Sequence, residues 1–159
     1  MADLTPLDEK LGEVLGLAKA AQDATEYVSK MEGADQFDSD LEKMKRDAEE
    51  TARRTEELIE GLDGKKTAIR EKAQETKSEA EEMRQTYLAE EEEALDGFEF
   101  LTMAEAAELG HWEIVQKMGS TLGEADVEEL AEWAVGVQQG HFDGVRAASL
   151  VLAESEVKA

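Results

Sequence analysis

The chain has 159 residues, 17 basic against 40 acidic, no cysteine, one proline and 12 glycines. The length allows one domain with its own core, and the missing cysteines exclude disulfides, thiolate metal sites and cysteine nucleophiles. A formal charge of −23 repels phosphate backbones and anionic lipid, so neither nucleic acid nor a membrane is an expected partner.

Helical periodicity dominates from the start of the chain. Thr5-Pro6 reads as an N-cap followed by proline in the first turn. Leu7, Leu11, Val14, Ala18, Ala21, Thr25 and Val28 then recur every three or four residues, up to a stop at Gly33. Ser39-Asp-Leu-Glu42 has the form of a capping box. It opens a second helix with Leu41, Met44, Ala48, Thr51, Thr55, Leu58 and Leu62 on one face, ending at Asp63-Gly64. Ala18, Ala21, Ala48, Thr51 and Ala52 make the middle of both helices narrow, which permits close approach or leaves room for something between them.

Residues 65–93 carry only a thin stripe of Ile69, Ala73, Thr76, Ala80, Met83 and Tyr87, and Glu90 to Glu93 is an unbroken acidic run. This segment is expected to be an additional helix or a long crossover along a bundle edge. Leu95-Asp96-Gly97 interrupts the pattern. The next helix is read to about Met118, with Phe98, Leu101, Ala104, Glu108, His111, Val115 and Met118 facing inward. Gly119 to Gly123 forms a turn, and Asp126-Val-Glu-Glu129 is a second capping box. The last helix points Val127, Leu130, Ala134, Val137, His141, Val145, Ala148 and Leu152 inward. Nothing reads as a strand. The expected fold is all-α, a single four-helix bundle domain over residues 1–159 with a charged extra helix.

The two histidines of the chain occupy matching positions, in Glu108-Leu-Gly-His111 and Gln138-Gln-Gly-His141. An i, i+3 pair shares a helix face. Two such pairs on neighbouring helices have the form of the ligand pairs in dinuclear carboxylate bundles. Because all four residues lie on or beside the inward stripes, His111 and His141 are expected to face each other across the interior, with Glu108 and Gln138 in hydrogen-bonding reach. Two readings stay open. One is a metal site using Glu108, His111, His141 and Glu50, with Gln22 or Glu26 added from the first helix. The other is a buried hydrogen-bonded cluster without metal, in which removing His111 would strand Glu108 at a cost of about 1–3 kcal/mol. Trp112 and Trp133 are read as core or dimer-interface residues. No phosphate loop, dinucleotide fingerprint or catalytic triad is visible.

Two blocks carry a family resemblance. Asp47-Ala-Glu-Glu-Thr51, with Arg54 and Glu57-Leu58 after it, resembles the second-helix motif His-Leu-x-Glu-Thr of the YciE/YciF-like stress proteins, within the ferritin-like superfamily. Gly110-His111-Trp112-Glu113-Ile114 resembles that family's third-helix motif Glu-His-Tyr-Glu-Ile, and Leu122-Gly123 and Leu130 continue the spacing. The resemblance spans roughly residues 7 to 153. It implies a ferritin-like antiparallel bundle with an iron or manganese site, acting in oxygen or peroxide chemistry or metal handling. The departures fall on ligand positions: Asp47 stands for a histidine, Gly110 for a glutamate, and Gln138-Gln139 for a glutamate pair, while Glu50, His111, Glu113 and Asp143 are kept and His141 is added. The lost carboxylates point to a non-catalytic stress-associated bundle or one with a reduced metal site. Composition and pairing economy add the expectation of a homodimer. The first residues lack a signal-peptide pattern, and no apolar run approaches the roughly 18 residues of a membrane span, so a cytoplasmic location is expected. The acidity reads as a solvated surface, of the kind a salt-rich cytoplasm also favours.

Overall fold

A computed structural model describes residues 3–62 and 65–159. Five helices follow one another: α1 (Pro6–Ser29), α2 (Asp38–Glu60), α3 (Lys66–Tyr87), α4 (Ala94–Leu122) and α5 (Ala125–Lys158), with a 3-10 turn at Ala34–Phe37 before α2. No strand is present among the described residues; one isolated bridge joins Glu32 to Glu93. Among the described residues no helix is long and apolar enough to cross a membrane.

Cross-helix contacts fix the directions. Lys19 meets Glu56 and Lys45 meets Glu26, so α1 and α2 are antiparallel. The backbone of Gly97 lies against Val28, and His111 reaches Glu13, so α4 also runs against α1. The backbone of Gly119 packs on Val127, and His141 stands beside Glu105, making α4 and α5 a hairpin. His141 to Asp47 and Arg54 over Trp133 set α5 antiparallel to α2. The result is a four-helix bundle of α1, α2, α4 and α5, in which α3 returns the chain to the end where α2 began. That return lets α4 start in the same direction as α2.

The charged segment of uncertain form is therefore the crossover, and it is helical. It has no glycine or proline between Lys66 and Tyr87, and Lys77 pairs with Glu81 one turn on. It docks through α1. Lys65 meets Asp8, the backbone of Gly12 lies against Ile69 and that of Gly16 against Ala73, and Arg84 stacks on Tyr27. Each pair keeps the same separation of 57 residues, so α3 runs parallel to α1 in fixed register. Gly12 and Gly16 make this possible: a Cβ on Gly12 would stand 2.9 Å from the Ile69 carbonyl oxygen, and one on Gly16 would overlap the Ala73 carbonyl. Ile69 and Ala73 are buried as expected, while Met83 and Tyr87 stay exposed.

The capping expectations divide. Thr5 and Asp8 form a reciprocal capping box at α1, with Pro6 in the first turn. The boxes read at Ser39 and Asp126 do not form: α2 starts one residue before Ser39, α5 starts at Ala125, and neither start has a side-chain cap. The Asp63-Gly64 stop lies outside the described residues. Leu95-Asp96-Gly97 does not break the chain but forms the first turn of α4, because Gly97 is buried against Val28 and Met31, where a side chain would collide. Likewise α4 continues through Gly119 to Leu122. It ends at Gly123, whose φ of 71° supplies the left-handed cap while the Glu124 amide donates to the Gly119 carbonyl.

Two apolar clusters occupy the two ends of the bundle. One gathers Leu11, Leu15, Ile59, Trp112 and Val115; the other gathers Val28, Leu41, Phe98, Leu101 and Val145. A polar layer separates them at the waist. Replacing Gly16 by valine is expected to destabilise the protein by about 1–3 kcal/mol through overpacking against α3, read by denaturant unfolding. Valine at Gly110, where a Cβ meets nothing within 4 Å, should cost much less. Equal losses at both sites would show that the α1–α3 contact carries no special weight.

Candidate functional site: a carboxylate–imidazole layer at the waist

The waist layer is built by three helices. α4 contributes Glu105 and Glu108, one turn apart on its inward face; α5 contributes Gln138 and His141 in the same i, i+3 relation; α2 contributes Asp47 and Thr51. The relative exposures of Glu105, Glu108, Gln138 and His141 are 2, 4, 1 and 7 %. Facing them, α1 offers Ala20 and Ala24, so the first-helix candidates supply no ligand: Glu26 is exposed and bound to Lys45, and Gln22 is only partly buried.

The hydrogen bonding is directional. The His141 Nε2 stands 2.8 Å from Asp47 Oδ2, and its Nδ1 stands 3.7 Å from Glu105 Oε2. Asp47 also receives the Lys43 ammonium from the surface side. With the Nε2 proton donated to Asp47, the Nδ1 edge is presented to the interior. Glu108 packs against Glu105 and Gln138. Three buried oxygens have no partner: Glu105 Oε2, Glu108 Oε2 and Gln138 Oε1. Each unsatisfied acceptor costs about 1–3 kcal/mol, and a water, a proton or a cation would each offset that cost.

Electrostatics sort the groups. Burial pushes the Glu108 carboxyl well above the usual carboxylate range, and the neighbouring Glu105 charge adds to it. Burial disfavours the His141 imidazolium, but Glu105 and Asp47 outweigh that and raise its pKa. Partial burial works against the Asp47 carboxylate too, yet Lys43 and His141 overcome it and hold Asp47 below its ordinary value.

Of the four residues expected to ligate metal, the structure brings Glu108 and His141 into this layer and leaves two outside. His111 does not face His141. It is half-buried on the adjoining face of α4, with Nδ1 donating to the Ala107 carbonyl at 2.8 Å and Nε2 3.4 Å from Glu13. The cause is rotational: residue 112, not 111, continues the inward row, and Trp112 takes the core position. Glu50 points outward, and the Arg53 and Arg54 guanidinium groups hold it down at about 2. Glu105 and Asp47 are the members that the sequence reading left out as ligands. Trp112 could have revealed Glu105, because a helix row through that large apolar side chain passes through 105 and 108 but not 111.

Chemically the layer offers two interior carboxyl groups, one imidazole edge and one amide oxygen, a hard-oxygen set with a single nitrogen. Among the described residues no three carboxylate or imidazole side chains already close on one point. The Glu105 Oε2 and His141 Nδ1 separation is nonetheless within the span of two ligands of one ion, whose bonds are about 2.0–2.2 Å each. No family model matches the chain, and neither curated proteins nor solved structures give a significant match.

These shifts fix the pH dependence. Glu108 and His141 hold their protons more tightly in the folded state, so their contribution is complete in acid. It is lost as pH rises, beyond about 4.3 for Glu108 and beyond about 6.5 for His141. Asp47 acts oppositely and loses its contribution only below its ordinary value near 3.9. The melting temperature at constant ionic strength is therefore expected to fall as pH rises above about 4.3, and further above about 6.5. Glu108→Gln, which removes the titration but keeps the shape, should flatten that fall; an unchanged slope would refute the assignment. His111→Ala should cost less than about 1 kcal/mol, as for an exposed pair.

Proposed function

We propose that this chain is a ferritin-like bundle of the stress-protein kind, acting as a homodimer, whose waist layer is a reduced metal site for one divalent cation rather than a dinuclear oxidase centre. The observation that carries the reading is the set of three buried, unpartnered oxygens beside the free edge of His141. The single crossover helix is consistent with it, since ferritin-like bundles have one long crossover connection where simple up-and-down bundles have none. The blocks around Asp47 and His111 add the family resemblance.

The donor set fits one ion and not two. A dinuclear centre in this fold draws on four carboxylates and two imidazoles. Here Glu105 and Glu108 are the interior carboxylates, Asp47 is engaged by Lys43 and His141, Gln138 is neutral, and α1 brings none. Glu105, Glu108, the Gln138 oxygen and His141 Nδ1 would hold the ion. An iron or manganese ion there would supply a Lewis-acidic, redox-capable centre. The chain's own part is definite. Asp47 orients the imidazole, as carboxylates commonly do behind a ligating histidine. The apolar clusters on either side keep the layer dry. Glu108 must lose its proton for the ion to enter, so uptake releases acid and strengthens with pH.

Titration with Mn2+ or Fe2+ under anaerobic conditions tests this. One ion per chain is expected, with proton release. At a hundredfold excess over Kd the ion would add about 2.7 kcal/mol of stability, and a strong chelator would reverse it. The pair Glu105→Gln and Glu108→Gln should abolish binding while His111→Ala leaves it intact. If neither ion binds and chelator leaves the melting temperature unmoved, the layer is a polar cluster without metal.

A further inference from the structure

Gly136, Gly140 and Gly144 recur at one-turn spacing along α5. Glycine inside a helix is destabilising relative to alanine, so a row of them needs a packing reason. On α1 the same spacing has one, because α3 lies against Gly12 and Gly16. On α5 there is none among the described residues: a Cβ at any of the three meets nothing within 4 Å. Ala147 and Val151 continue the same face, and both are exposed. Beside this stripe a groove of about 380 Å³ opens between α2 and α5, with Phe37, Met44, Phe98 and Val137 on its walls and His141 at its inner side.

Charge distinguishes the occupant. In a chain of formal charge −23, Asp143 and Arg146 are the only Asp, Glu, Lys or Arg residues from Trp133 to Ala153, and they pair with each other at 3.1 Å; the buried His141 lies behind them, and the α2 wall of the groove adds Asp40 and Lys43, one of each sign. This neutral face gives a strongly basic partner nothing to attract it. It is also where two copies of an otherwise self-repelling protein meet with least repulsion.

We propose that two copies pair through α5, antiparallel about a two-fold axis near Gly144. Ala147 and Val151 of each copy then sit over the cradle around Gly140 and Gly136 of the other. Such a contact is self-complementary, small residues at the axis and side chains into glycine hollows on either side. Asp143 and Arg146 flank the axis, where each faces the opposite charge of the second copy. The second copy's helix also covers the groove over His141, whose side chain is already buried in the single chain. This deepens the dimer part of the reading above and is independent of whether metal binds.

Light scattering on the full chain tests it, at about 0.3 M salt so that long-range repulsion is screened. The unmodified protein is expected at dimer mass. Gly140→Glu, which places a carboxylate on the stripe in open space, should give monomer mass with its helical circular dichroism intact. Gly110→Glu, the same change at an open position on α4, should remain dimeric. Gly144→Cys, in a chain with no other cysteine, should form a disulfide-linked dimer on mild oxidation, and Gly110→Cys should not. Monomer mass for the unmodified protein would overturn the dimer altogether. Dimer mass for Gly140→Glu, or no cross-link through position 144, would overturn the α5 interface while leaving dimerisation standing. The metal titration can be run on the monomeric variant, so failure of the interface and failure of the metal reading are separable.

Discussion

The burial of two carboxyl groups at the waist of the bundle is the constraint around which the rest is arranged. Glu105 and Glu108 lie between two apolar clusters, with no lysine or arginine beside them in the layer. Taking an isolated carboxylate out of water is costly enough that the group changes protonation instead. The protein meets that cost in two ways. Burial and the Glu105 charge make Glu108 hold its proton more tightly, and His141, backed by Asp47, stands beside Glu105. Polar residues at these positions do less for stability than leucines would, and they leave oxygens unpartnered.

The same layer explains the division of labour among the helices. α1 contributes small apolar residues at this level, α2 one aspartate, and α4 and α5 one i, i+3 pair each. The α4–α5 hairpin is the closely packed pair of the bundle, whereas α2 and α5 touch sparingly and leave the groove. The polar groups thus sit mainly on the closely packed pair, next to the groove between α2 and α5.

The sequence made the helices legible because hydrophobic spacing and the Thr5-Pro6 cap are local signals. The crossover was legible only as a possibility. Its thin stripe is enough because the other half of the contact is on α1, in Gly12 and Gly16, and a pairing between distant segments leaves no local periodicity. Helix starts at Asp38 and Ala125 were misplaced by capping-box patterns nearby, since the pattern names residue types and the cap needs a backbone turn that tertiary packing decides. The interior site was half legible. Glu108 and His141 were placed correctly. His111 was carried inward by its likeness to His141, although a rotation of about 100° per residue separates it from Trp112. When a histidine and a tryptophan compete for adjacent helix positions, area favours the tryptophan, because the larger apolar side chain gains more from burial.

Glycine placement gives a second view of the same economy. At Gly12, Gly16 and Gly97 the missing side chain is occupied by a neighbour's backbone or side chain, and the helix penalty is offset by close packing. Gly136, Gly140 and Gly144 incur the same penalty with no such neighbour among the described residues. A surface that sacrifices helix propensity on one stripe, and omits charge from that stripe in a chain that is 36 % charged, departs from the pattern of the remaining surface in two independent respects. Solubility explains neither, since charged residues with high helix propensity would serve it better. The α5 pairing proposed above would account for both. The groove beside the stripe ends at His141, so a second copy lying over it would also limit how far solvent reaches the interior carboxylates and, through the dielectric, strengthen the interactions among them.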